Sequence, residues 1–259
     1  RLEIDRQKAE AMGLSFAAVS STLSAAMGSL YVNDFPNAGR MQQVILQADA
    51  PARMQLDDVL GLRVTERAPG AVHLGADGPA FLTLLHRPDA RPDDPAHAGL
   101  YHTAFLLPSR AHLGPWLAHA AALGVPITGG SDHGVSEALY LDDPEGNGIE
   151  IYWDRAPDRW TRNGDRIEMF TRRLNLDDPL SMADGPWQGA PDGSSLGHVH
   201  LQVGDLDQAD AFLVGELGLT QTFDAPGGAW YGWNGYHHHL AANVWNSRGA
   251  GPRPDGRTG

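Results

Sequence analysis

Two stretches of this chain, residues 101–153 and 197–245, run through the same order of elements, and that repeat limits the fold more than any other feature. The first reads as a strand (YHTAFLLP), a helix (SRAHLGPWLAHAAALG) and strands (ALYLDD, GIEIYWD). The second reads as GHVHLQV, then DLDQADAFLVGELG, then TQTFDA, AWYGWNG and HHHLAANVW. His102 opens the first unit 21 residues before Leu123 of a Leu-Gly pair, and His198 opens the second 19 residues before Leu217 of another. A strand–helix–three-strand unit leaves an apolar sheet face that a second unit must cover. The expected class is therefore α+β: repeated βαβββ modules forming curved, cup-shaped mixed sheets behind an N-terminal αβ segment.

Before the repeat, LGLRVTERA, AVHLG and PAFLTLLH read as three consecutive strands. Residues 1–58 read as a short strand (LEI), a helix (DRQKAEAMGLS), a second helix capped by Ser15 (FAAVSSTLSAAMG), a turn-rich loop (YVNDFPNAGR) and a strand (MQQVILQA). The division expected is 1–58, 59–155, a linker at 156–196 rich in Arg, Asp, Pro and Gly, and 197–259. The chain starts without Met and stops in RGAGPRPDGRTG, and is expected to be a piece of something longer.

Apolar residues make up 42%, enough for a sizeable core, and the formal charge is −13. Such a chain repels phosphate backbones and anionic membrane surfaces, so nucleic acid is not an expected partner. No run approaches the roughly 18 apolar residues of a membrane span, and no signal peptide is visible. With no cysteine, disulfides, zinc–thiolate sites and thiol nucleophiles are excluded together. The cytoplasm is the expected compartment, and a homo-oligomer is possible.

Metal chemistry without cysteine needs imidazole and carboxylate. Two His and one Asp or Glu on one face of an iron leave positions open for substrate and dioxygen. Of twelve histidines, His102 and His198 hold equivalent places in the repeats. Glu150 lies in GNGIEIYW, where alternation puts Glu150 and Tyr152 on one face and Ile149, Ile151 and Trp153 on the other. A lone strand glutamate or histidine is ordinarily solvated or structural; the equivalent places of the two histidines weigh more toward a shared metal than either residue does alone. His200 shares a face with His198 and is a reserve ligand. His112 and His119 read as surface residues, and His237 and His239 share a strand face opposite His238 and read as packing or hydrogen-bonding residues.

GLYHTAFLLP, SDHGVSEALYLDDPEGNGIEIYWDR, GHVHLQV and NGYHHHLAANVW resemble the catechol 2,3-dioxygenases of the vicinal oxygen chelate (glyoxalase/bleomycin resistance/extradiol dioxygenase) superfamily. The extradiol signature is met by His133, Leu139-Tyr140, Asp143-Pro144, Gly146 and Glu150, with Ser131 as the one departure upstream. The resemblance implies a metal held by His102, Glu150 and His198, Fe(II) first and Mn(II) second. It implies His238 as an acid–base histidine that takes a catechol proton, with Tyr140 and His133 hydrogen-bonding the substrate. It implies a small aromatic diol and dioxygen as partners. In those enzymes the metal lies within the C-terminal pair of modules; here the cup is expected between the modules at 101–153 and 197–245. The alternatives are a glyoxalase-type isomerase, which often uses more carboxylate ligands, a metal-free binding or resistance protein, and a non-functional chimeric fragment. The last arises because LEIDRQKAEAMGLS, SLYVNDFPNAGR and ADAPARMQLDD resemble the periplasmic porter and docking region of RND efflux transporters. An in-frame chimera joined near 57–61 is expected, with a half-present first module, an absent fourth, and exposed partner surfaces.

Overall fold

The computed structural model describes residues 30–37, 40–46 and 59–258. The strand and two helices expected before residue 29 lie outside them. Strands β1 (Leu30–Asn37) and β2 (Arg40–Leu46) form an antiparallel pair. The YVNDFPNAGR stretch expected as a loop is thus strand up to Asn37. A two-stranded ribbon is all edge, which is where a proline such as Pro36 is tolerated.

The three strands expected next are present as an antiparallel sheet of β3 (Arg63–Ala68), β4 (Ala71–Gly75) and β5 (Leu82–Leu85). The first repeat follows: β6 (Gly99–Leu106), a short 3₁₀ turn, helix α1 (Leu113–Ala122), then β7 (Gly129–Asp132), β8 (Ser136–Asp142) and β9 (Gly148–Asp154). Helix α1 buries Leu113, Trp116, Leu117 and Ala120, an i, i+3, i+4, i+7 stripe. It ends in a Schellman motif: Gly124 takes φ +70°, its N–H bonds to Ala121, and the Val125 N–H bonds to Ala120. That is the physical meaning of the first Leu-Gly pair.

The expected linker is partly structured. It carries β10 (Arg162–Asn163), β11 (Arg166–Ile167), β12 (Arg172–Arg173) and helix α2 (Asp177–Ser181). Trp160 and Ile167 are buried with Val135, and β12 pairs with β7. The second repeat is β13 (Ser195–Gln202), helix α3 (Leu206–Asp210), a π-helical turn (Ala211–Glu216), β14 (Thr220–Ala225), β15 (Gly228–Gly232) and β16 (Leu240–Asn243). Asp205 caps α3 by accepting from the Gln208 N–H at 2.9 Å. The HHHLAANVW stretch is strand only from Leu240; His237–His239 belong to the preceding loop.

Nine strands form one curved mixed sheet in the order β12-β7-β8-β9-β6-β13-β16-β15-β14. The antiparallel pair β6–β13 is its centre, and each partner continues into a parallel neighbour, β9 or β16. Across the centre His102 faces His200 and Ala104 faces His198. Exchanging 102 with 198 and 104 with 200 maps each pair onto the other, so a pseudo-twofold axis relates the repeats. In the parallel neighbours Glu150 sits beside Ala104 and Ala241 beside His200, which makes Ala241 the counterpart of Glu150. One face of the first half packs Phe105, Leu139, Ile149 and Ile151 against α1 and Val59–Leu62. The other face is the cup. Among the described residues, no helix is long and apolar enough to cross a membrane.

Candidate active site

The hairpin between β8 and β9 shows why its sequence is built as it is. Asp143 Oδ1 accepts the backbone N–H groups of Glu145 and Asn147 at 2.8 Å each, and Gly146 takes φ +85°. The Asp-Pro-x-Gly part is therefore a turn. It sets register so that Tyr140 lies directly opposite Glu150. Strand alternation then points Tyr140, Glu150 and Tyr152 into the cup, with Ile149 and Ile151 in the core, the facing read from the sequence.

Glu150, His102 and His198 come from β9, β6 and β13, and one donor atom from each lies within 4.8 Å of the other two. Glu150 Oε2 is 3.0 Å from His102 Nε2 and 3.4 Å from His198 Nε2. All three are buried. Despite its 3.0 Å approach, His102 Nε2 lacks hydrogen-bond geometry and has no hydrogen-bond partner. Burial alone would push the Glu150 carboxyl up; the facing His198 and His102 imidazoles override it and hold it well below the usual carboxylate range. Burial lowers His198, His200 and His238 below the ordinary imidazole value, His200 and His238 strongly.

A cavity of about 570 Å³ opens from these residues. His102, His133, Tyr140, Glu150, His198 and His238 all line it. The His102 and His198 rings are 5.5 Å apart, and the His198 and His238 rings 4.2 Å. His133 Nε2 meets Tyr140 Oη at 2.8 Å, and His133 Nδ1 meets the Phe170 carbonyl at 3.0 Å. Burial, and next the Glu150 charge, raise the Tyr140 hydroxyl well above its ordinary value, so it stays a neutral hydroxyl. His200 also lines the cavity, but it stands outside the trio and meets Asn243 Nδ2 at 3.1 Å.

The sequence places Trp230 near the expected cup; the other lining residues do not stand out in it. Phe170, Met169 and Thr171 reach the cavity from the expected linker. On the far side Phe223, Trp230 and Trp245 make an aromatic wall with Tyr101, whose ring is 4.9 Å from His200 and 5.5 Å from Trp245. Gly197, in the Gly-His pair before His198, is required by contact: a Cβ there would lie 1.8 Å from Tyr152 Oη.

The chain is similar to known proteins of two kinds. Residues 56–151 match the Glyoxalase/Bleomycin resistance protein/Dioxygenase superfamily, and residues 1–77 match the AcrB/AcrD/AcrF family. The chain is 37% identical over 208 residues to a catechol-2,3-dioxygenase of Bacillus subtilis strain 168, covering 78% of this chain and 73% of that protein. Over 59 residues, 23% of this chain and 6% of the other, it is 46% identical to the multidrug export protein AcrF of Escherichia coli. A crystal structure of a Bacillus subtilis protein assigned as a dioxygenase superposes with a TM-score of 0.49 at 18% identity, over 73% of this chain and 57% of that one.

Proposed function

The chain belongs to the Glyoxalase/Bleomycin resistance protein/Dioxygenase superfamily, and on that premise we propose that it is a metal-dependent extradiol dioxygenase acting on a catechol-like aromatic diol. The observation that carries the reading is the buried trio with an unsatisfied imidazole nitrogen. Ligands about 2.1 Å from one ion and at right angles lie about 3.0 Å apart, which fits the separations of Glu150 Oε2 from the two imidazoles. His102, Glu150 and His198 hold the ion, Fe(II) first and Mn(II) second. Such an ion supplies a Lewis acid for adjacent diol oxygens and the redox chemistry that dioxygen needs.

The protein's own groups do the rest. His238, on the β13 side of the trio, accepts a diol proton. The Tyr140 hydroxyl, kept neutral and tied to His133, orients the ring by hydrogen bonding. The aromatic wall of Phe223, Trp230 and Trp245 covers the apolar part of the substrate and excludes water. An isomerase that ligates through a second carboxylate would need an acid at the counterpart of Glu150, and that residue is Ala241. The exposed apolar side chains Leu85, Phe212 and Leu217 support self-association, and the absence of cysteine supports a cytoplasmic setting.

The test is metal analysis of the purified chain together with ring opening. Loading with Fe(II) is expected to give one ion per chain and oxygen consumption with catechol, both lost in His102→Ala. Stoichiometric metal with no ring opening of simple or aryl-substituted catechols defeats the reading.

A further inference from the structure

A carboxylate–imidazole–imidazole chain runs from the end of β9 to the cavity. Asp154 Oδ1 lies 2.8 Å from His237 Nε2, and His237 Nδ1 lies 2.7 Å from His238 Nδ1. Asp154 Oδ2 accepts from Tyr236 Oη at 2.6 Å, and Tyr152 Oη lies 3.1 Å from Tyr236 Oη. His237 is completely buried, with the Trp160 ring 5.1 Å from its own. The neighbouring Arg155 directs its guanidinium to Asp132 and Glu137 instead of Asp154.

The chain has one consistent direction with neutral imidazoles. A carboxylate only accepts, so His237 Nε2 carries the proton. Neutral His237 then offers a lone pair at Nδ1, and His238 Nδ1 supplies the proton of the 2.7 Å contact. His238 Nε2 is left with a lone pair, on a ring that lines the cavity.

We propose that Asp154 and His237 are positioning residues that fix the tautomer of His238 and draw off the proton it receives. The inference rests on the dioxygenase reading. The diol O–H breaks as His238 Nε2–H forms; His238 Nδ1–H breaks as His237 Nδ1–H forms. No electrons are transferred. One proton leaves the diol and comes to rest on His237, whose imidazolium is paired with Asp154. The positive charge is thereby moved one ring away from His198.

Two variants of the full chain separate the parts of this proposal. In Asp154→Asn the amide N–H donates to His237 Nε2 and reverses both tautomers. In His237→Gln the amide still accepts from His238 Nδ1 and donates to Asp154, but cannot take up a proton. Nitrogen NMR of the zinc-loaded protein, zinc being diamagnetic, reads the tautomer. The absorption band of a bound nitro-substituted catechol reads its ionisation, and ring opening by the iron-loaded protein reads turnover. Wild type is expected to show His238 protonated on Nδ1 and an ionised nitrocatechol. Asp154→Asn is expected to show His238 protonated on Nε2, a nitrocatechol that keeps its proton, unchanged metal content, and kcat lower by about 10²–10⁴-fold. His237→Gln is expected to keep the wild-type tautomer and lose about tenfold or more in kcat at similar KM. A wild-type His238 protonated on Nε2, or variants that ionise nitrocatechol and turn over within threefold of wild type, overturn the proposal. A wild type that ionises nitrocatechol yet opens no ring defeats the dioxygenase reading alone, because the tautomer reversal still establishes the positioning pair.

Discussion

The two repeats share a backbone plan and divide the chemistry unequally. The half at 99–154 contributes His102, Glu150, Tyr140 and His133; the half at 195–243 contributes His198 and His238. At the counterpart of Glu150 stands Ala241, at the counterpart of Gly197 stands Tyr101, and at the counterpart of Tyr152 stands Asn243. The axis therefore separates two unlike environments. On one side Tyr152 and Asp154 form a polar network with Tyr236 and His237. On the other, Tyr101, His200 and Trp245 stack edge to face. A symmetric scaffold delivers two imidazoles to one point, and unequal substitution about the axis leaves one carboxylate where strict symmetry would place two.

The sharpest way to break that contrast is at the carboxylate. Glu150→Gln is expected to lower metal affinity by more than the roughly 10–100-fold that changes to outer hydrogen-bond partners cost, with ring opening abolished; metal titration and oxygen uptake check it. Ala241→Glu restores the missing symmetry. It is expected to bind metal at least as tightly, to lose most ring opening as a second carboxylate competes with substrate for the ion, and to destabilise the buried site by about 1–3 kcal/mol in denaturant titration. Next in size is Gly197→Ala, whose Cβ would collide with Tyr152 Oη. Unfolding should show a loss of about 1–3 kcal/mol, and Gly197→Ala with Tyr152→Phe should recover part of it.

Acid titration of the metal-free chain sets the buried imidazoles of the second half beside Glu150 of the first. His198, His200 and His238 have folded-state values lowered by burial, so the unfolded chain takes up their protons first. Stability is expected to fall as pH drops below about 6.5, each group contributing up to about 1.4 kcal/mol per pH unit until its own folded-state value is passed. Glu150, lowered by its imidazole partners, adds a loss of the same sign below its ordinary value. His200→Gln should flatten the slope in urea melts between pH 6.5 and 5; an unchanged slope counts against a buried neutral His200. The smallest expected effect is at Arg166, which pairs with Asp224 between the connecting segment and β14. Both side chains are about half exposed, so Arg166→Ala is expected to change stability by no more than about 1 kcal/mol, less in high salt.

The repeat, the strands around it and the alternation that turns Glu150 away from Ile149 and Ile151 were all legible in the sequence, because periodicity and turn chemistry are local. The Gly-Gly-Ser-Asp strand β7 was not: its sequence has no apolar period, and it exists because β8 and β12 flank it. The π-helical turn after α3 is not legible either, because its composition is that of an ordinary helix. Of the site, His102 and His198 could be named from the repeat, His133, Tyr140 and Glu150 from the signature, and His238 from the resemblance of NGYHHHLAANVW, while their roles rest on the proposal above. Asp154 and His237 could be seen only in three dimensions. They are 83 positions apart, and nothing in either local sequence distinguishes a relay partner from a solvated carboxylate and a packed imidazole.

The trio spans the seam between β6 and β13, with two donors on one side and one on the other. An ion held there binds only the closed arrangement, so its affinity and the docking of the two halves are thermodynamically linked. At a hundredfold excess over its dissociation constant it adds about 2.7 kcal/mol to that docking. A chelator is then a denaturant aimed at one strand pair, and the melting temperature becomes a readout of metal supply.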